Sequence, residues 1–225
     1  PGPFPHRLQV PKPRRPRGPD GGLEDALPLL TVMFVERLVL ATGSRGKYRE
    51  FAAMLPREVV GELIFAPEMA QIEVEETGTC YAENARLKAR AWAEASGLPS
   101  LADDSGLEVE ALGGAPGVLS ARIVPGPDQA RNDWLLSRLE GRPDRRARFV
   151  AALALAIPDR WTLIAEGECP GRIATAPEGK GGFGYDPLFL PDGLNASFAA
   201  IPPEMKNAIS HRAAALRNLL EILMR

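Results

Sequence analysis

Two adjacent carboxylates, Asp103 and Asp104, followed by Ser105 and Gly106, form the densest group of side chains able to hold a cation or move a proton. Ionised carboxylates side by side repel, so the pair needs solvent, a shared proton or a cation; a divalent metal is the usual companion where phosphate is handled. An acidic surface turn accounts for the four residues equally well. Elsewhere, Thr42-Gly43-Ser44-Arg45-Gly46-Lys47 joins an apolar run to an amphipathic one, so helix-start N–H groups and Lys47 could receive an anion. The segment is not a P-loop, because Ala41 stands where the first glycine belongs and Tyr48 where Ser or Thr belongs, and an ordinary strand-to-helix turn fits it too. Glu73, Glu75 and Glu76 cluster ahead of Thr77-Gly78-Thr79, and beyond them Asn84 and Lys88, four apart, share a helix face. Glycines at 179, 181, 182 and 184 surround Phe183 and Tyr185, and Asp186-Pro187 closes what is otherwise an exposed Gly-rich hairpin loop. His211 and Arg212 fall in the first turn of a helix capped by Ser210, where the dipole disfavours cations, so an anion or carbonyl oxygen received there would offset the cost.

These groups need elements to place them. FVERLVLA, from Phe34, reads as a strand, and KYREFAAML as a helix with Tyr48, Phe51, Ala52 and Leu55 on one face. A strand is expected over Glu58 to Phe65, and a helix over CYAENARLKARAWAEA. After the paired carboxylates, Leu107, Val109, Ala111 and Leu112 suggest a short strand, with a turn at Gly113 to Gly117. Pro127 to Leu139 reads as a helix with Trp134, Leu135 and Leu139 facing the core, stopped by Gly141. ARFVAALALAI and WTLIAEGE should form an antiparallel hairpin inside a sheet, and the last helix buries Leu216, Leu219, Leu220 and Leu223. Strands alternating with helices, plus one hairpin, define an α/β class with a mixed sheet.

The 225 residues carry a net charge of −2, so nothing in the balance argues for a nucleic-acid-binding field or a polybasic membrane patch. No apolar run approaches the roughly 20 residues needed to span a bilayer. Cys80 and Cys169 lie far apart without a metal-binding spacing, as expected for reduced thiols in a cytoplasmic protein. Residues 1–32 carry recurrent prolines with Arg14, Arg15 and Arg17 among them and no apolar periodicity before Leu27, and are expected to be a disordered leader; the functional domain is expected over 33–225, starting at Met33.

Taken together, TGSRGK, EETGTCYAENARLKARA, ADDSGLEVEALGGAPGVLSAR, GGFGYDPLF and MKNAISHRAAAL closely resemble, in order and spacing, the inosine triphosphate pyrophosphatases, also called XTP/dITP diphosphatases, over residues 36–223. The resemblance implies an elongated α/β fold with a mixed sheet, flanking helices and two lobes around a central active-site cleft, usually as a homodimer. It implies Mg²⁺-dependent hydrolysis of dITP, ITP and XTP to the monophosphate and pyrophosphate. By position, Thr42, Gly43, Ser44, Arg45, Gly46 and Lys47 would bind the triphosphate, Glu76 and Asp104 the metal, and Asp104 would be the general base. Ser105 would contact substrate, Lys88 and Lys206 would face phosphate, and Phe183, Gly184, Tyr185, Asp186, His211 and Arg212 would form the base pocket. Ser44 replaces the family's usual asparagine, and Leu119 and Ile123 replace its aromatics. A related pyrophosphatase acting on other modified nucleotides is the competing enzyme class; a non-catalytic nucleotide sensor is the competing non-enzyme class.

Overall fold

The computed structural model describes residues 34–224, so the leader and the start at Met33 lie outside the described residues. Strand β1 (Val35–Leu40) leads into helix α1 (Arg45–Met54), followed by β2 (Val60–Phe65), a short α2 (Ala66–Met69) and the long α3 (Tyr81–Ser96). Then come β3 (Ser100–Val109), α4 (Asp128–Arg138), β4 (Arg146–Ala156), β5 (Thr162–Ile173), β6 (Phe189–Pro191), α5 (Pro203–Ile209) and α6 (His211–Leu223). The strands form one mixed sheet in the order β2-β1-β3-β4-β5-β6. Its β2-β1-β3 portion is parallel and the rest antiparallel, including the expected β4–β5 hairpin, in which Leu153 faces Ala165.

Successive β3 residues alternate between faces. Leu101 joins a cluster with Phe51, Leu153 and Leu216, under α1 and α6. Ala102 joins the opposite cluster with Ala85, Ala89 and Trp92 of α3. A third cluster, with Leu107, Leu135, Phe149 and Phe189, fills the β6 end. Alanines at 151, 152 and 154 of β4 are fully buried, and their small side chains let helices lie close on both faces. Gly167 of β5 allows a close helix approach, because a Cβ there would meet the Ala215 backbone nitrogen at 2.1 Å and the His211 oxygen at 2.6 Å. The start of α6 is thereby pressed against the sheet.

Several boundaries differ from expectation. The paired carboxylates are not a turn before a strand: β3 starts at Ser100 and runs straight through them, while Ala111 and Leu112 belong to a 3₁₀ turn, Glu110–Leu112. Charged residues tolerate this buried strand because distant cations meet them. On α1, Ala52 is exposed and Glu50 is buried instead. The second strand begins at Val60, two residues later than its apolar pattern suggested. Cys80 is exposed, Cys169 buried, and both are free thiols. Among the described residues no helix is long and apolar enough to cross a membrane.

Candidate active site

Strand β3 sends Asp103 and Asp104 to opposite faces of the sheet, giving them separate surroundings. Asp104 faces α3: Lys88 Nζ donates to its Oδ1 at 3.1 Å and Asn84 Nδ2 to its Oδ2 at 3.3 Å. Lys88 also donates to Glu76 Oε1 at 2.8 Å and to the Asp103 carbonyl at 3.0 Å, and Arg122 donates to Glu76 Oε2 at 2.6 Å. The Asn84–Lys88 spacing thus delivers both side chains to one carboxylate. Burial opposes the charge on Lys88, but Asp104 and Glu76 outweigh it and raise its pKa. Burial likewise opposes ionisation of Glu76, which Lys88 nevertheless holds below the ordinary carboxylate range.

This side opens on a cleft of about 630 Å³ lined by Thr42, Gly43, Ser44, Lys47, Glu73, Glu76, Lys88, Asp104, Ser105 and Arg122, among others. The loop before α1 forms one edge of the cleft. Ser44 is the N-cap, accepting from the Lys47 amide at 3.3 Å, and Thr42 Oγ1 accepts from the Ser44 amide at 3.1 Å. Serine, an efficient cap, keeps the helix N-terminus organised in place of the longer amide. Its acidic first-turn positions are empty, so the positive end of α1 is not neutralised by its own side chains.

Asp103 faces the other way and is closed off, with 1% of its surface exposed. Lys47 Nζ lies 2.5 Å from its Oδ2, Ser105 Oγ donates to the same oxygen at 3.0 Å, and Arg212 Nε reaches it at 3.5 Å. Arg212 continues to Glu50 at 2.9 Å and Ser105 Oγ at 2.7 Å; Lys206 joins Glu50 at 2.7 Å and also pairs with Asp186. The network is a chain of alternating charges, buried almost throughout. Burial opposes ionisation of Asp103, yet Lys47 and Arg212 hold its carboxyl far below the usual range. Burial pulls Lys47 down, a pull that Asp103 partly offsets, and it raises Asp186 against the opposing effect of Lys206.

The residues expected around a base do not line the open cleft. Phe183 lies over Gly46, where a Cβ would meet the ring at 2.5 Å, and is flanked by Lys206 and Arg212 at 4.8 and 5.3 Å from its centroid. Asp186 caps the Phe183 amide at 2.8 Å. Tyr185 packs in the core, its hydroxyl donating to the Ser120 carbonyl at 3.1 Å, with burial pushing its pKa up to about 12. His211 is stacked on Phe149 with centroids 4.7 Å apart, both ring nitrogens lack partners, and burial, reinforced by Arg212, drives its pKa well below 6.5. The anions that offset the Arg212 cation at the start of α6 are the protein's own Glu50 and Asp103, while His211 stays neutral. Arg45 points outward to Glu68 at 3.2 Å.

Sequence reasoning missed Glu50, although it lies one helical turn after Lys47 and beside the core residue Phe51. It also gave Arg122 no role within the SAR segment and Asp103 none distinct from Asp104.

Fold and cleft together define a mixed α/β protein that presents a helix N-terminus, two lysines and three carboxylates to one polyanion-sized opening. More narrowly, the chain belongs to the Ham1 family, whose model matches residues 38–222. It is 46% identical over 196 residues to a dITP/XTP pyrophosphatase of Streptomyces coelicolor, covering 83% of this chain and 96% of the relative. It is 49% identical over 188 residues to a protein of that name from Deinococcus radiodurans, covering 83% and 92%. Among solved structures, a HAM1 protein from Coxiella burnetii superposes with a TM-score of 0.75 at 40% identity, covering 84% of this chain and 98% of that one. The Staphylococcus aureus Ham1 protein gives 0.74 at 38%, with the same coverage.

Proposed function

We propose that the protein hydrolyses non-standard purine nucleoside triphosphates, dITP, ITP and XTP, to the monophosphate and pyrophosphate, and so cleanses the nucleotide pool. The observation that carries this is the convergence of Lys47, Lys88, Glu76 and Asp104 on one cleft beside the N-terminus of α1. Phosphoryl-type transfer asks for positioning and charge neutralisation, and these residues supply both. The capped loop Thr42–Lys47 receives phosphate oxygens through backbone N–H groups and the Lys47 ammonium. Lys88 adds charge from the opposite wall, and Asp104 accepts the proton of the attacking water.

The donor set fits a hard divalent cation. Glu76 Oε1 and Asp104 Oδ1 converge on one point, now spanned by the Lys88 ammonium at 2.8 and 3.1 Å. Mg²⁺ is commonly held by one or two carboxylates plus substrate phosphates, and the cleft offers such a pair. Glu76 and Asp104 would hold it; when bound, it would neutralise phosphate charge and acidify water.

Phe183 would provide a stacking face for the base, with Arg212 beside it as the donor for a 6-oxo group and Lys206 as a phosphate-facing lysine; a 6-amino group would leave donor facing donor. Resemblance to the family further supports a homodimer and a cytoplasmic location, and sedimentation of the purified chain tests the former. The decisive experiment incubates the protein with dITP, ITP, XTP, GTP and ATP plus Mg²⁺ and identifies the phosphorus products. Monophosphate and pyrophosphate from the first three, with ATP poorly used, is expected. Orthophosphate release or equal use of ATP would refute the proposal.

A further inference from the structure

Gly184, directly after Phe183, has both backbone polar groups bound by a helix more than fifty residues earlier in the chain. Its N–H donates to Asp128 Oδ2 at 2.6 Å, and its carbonyl accepts from Asn132 Nδ2 at 3.1 Å. Asp128 and Asn132 are four apart, hence on one face of α4. Gly184 adopts φ +63°, and a Cβ added there would meet nothing within 4 Å, so glycine serves the left-handed backbone here and not close packing. Asn132 is 3% exposed, so water cannot readily replace its bond, and the second oxygen of Asp128 is held by Arg131, which also donates to the Gly126 carbonyl at 2.8 Å. On its other side the Phe183 amide is fixed by Asp186 at 2.8 Å. The Phe183 ring therefore has its Cα constrained from both directions, while the ring itself rests on Gly46 of the phosphate-receiving loop.

We propose that Asp128 and Asn132 are positioning residues for the purine: by clamping the Gly184 backbone they set the plane on which the base stacks. The inference rests on the function proposed above. Neither side chain lines the cleft, so both act through the loop. A small displacement of the stacking ring weakens base binding without touching Asp104, Lys88 or Lys47, so affinity should suffer before chemistry does.

The test measures kcat and KM for ITP in the full chain and in Asp128→Ala, Asn132→Ala, Asp128→Asn and Phe183→Ala, with Asn132→Ala also combined with Phe183→Ala. Asp128→Ala and Asn132→Ala are each expected to raise KM roughly 10-fold with kcat within about threefold, from loss of one buried or charge-assisted hydrogen bond. Asp128→Asn keeps an acceptor oxygen and should recover most of the loss. Once Phe183 is removed, adding Asn132→Ala should raise KM no further, the non-additivity of residues acting through a shared partner. Backbone hydrogen exchange across residues 182–186, without nucleotide, should rise in Asp128→Ala and Asn132→Ala. Additive KM losses in the double variant, or a fall in kcat with KM unchanged, would overturn the positioning role while leaving the enzyme's function intact. A wild-type chain inert toward ITP, XTP and dITP would overturn the function and this inference with it.

Discussion

Asp103 and Asp104 are the same residue type, adjacent on one strand, and their surroundings could hardly differ more. Asp104 looks across the cleft with Lys88 and Asn84 beside it, and its neighbour Glu76 is partly solvated. Asp103 is sealed under α1 and α6 in a chain running Lys47, Asp103, Arg212, Glu50, Lys206, Asp186. The alternation of a β-strand turns one acidic dipeptide into a cleft-facing carboxylate and a sealed one. The two faces are joined by Lys47, which touches Asp103 yet lines the cleft, and by Ser105, which does the same. The buried network thus holds the cleft-lining Lys47 from behind.

The contrast can be broken from either side. Asp104→Asn should lower turnover by about 10²–10⁴-fold or more, the scale of a lost general base and metal ligand. Its unfolding free energy should fall by about 1–2 kcal/mol, because Lys88 keeps Glu76 and the carboxamide keeps an acceptor oxygen for Lys88. Asp103→Asn should do the opposite in urea unfolding: removing one partner from a buried ionic network leaves Lys47 and Arg212 short of compensation and costs about 3–5 kcal/mol. Equal stability in the two variants would erase the distinction.

His211 sharpens it through pH. Its folded pKa lies below 6.5, so below that pH the unfolded chain takes a proton that the native chain refuses. Its contribution to stability is complete above 6.5 and is lost as the pH falls, with a slope of at most about 1.4 kcal/mol per pH unit. His211→Phe should flatten the urea midpoint between about pH 6.5 and 5, and an unchanged slope would show that His211 is protonated in the fold. The smallest effect is expected at Arg122, whose side chain is 44% exposed. Arg122→Ala should change unfolding free energy by no more than about 0.5 kcal/mol, since partly exposed ion pairs are weak.

Much of this was legible in the sequence. The strand–loop–helix at Thr42–Lys47, the shared face of Asn84 and Lys88, the β4–β5 hairpin and the Ser210 cap all follow from local periodicity and capping. What escaped was long-range. Asp-Asp-Ser-Gly has the composition of a turn, and only cations from α1, α3 and α6 allow it to sit inside a strand. Glu50 went unnoticed because its partners, Lys206 and Arg212, arrive from more than 150 residues away. The base-pocket residues were placed by resemblance, and the structure puts Tyr185 and His211 in packed surroundings that their local sequence did not disclose.

The most direct test of the central claim, that 6-oxopurine triphosphates are hydrolysed on the Asp104 face, is an Mg²⁺ titration of initial rates with ITP and ATP for the wild type and Asp104→Asn. The account predicts a wild-type ITP rate that rises from near zero to saturation with Mg²⁺ and stays well above the ATP rate, and a variant that remains near zero throughout. Turnover independent of the metal, or an Asp104→Asn variant as fast as the wild type, would contradict it.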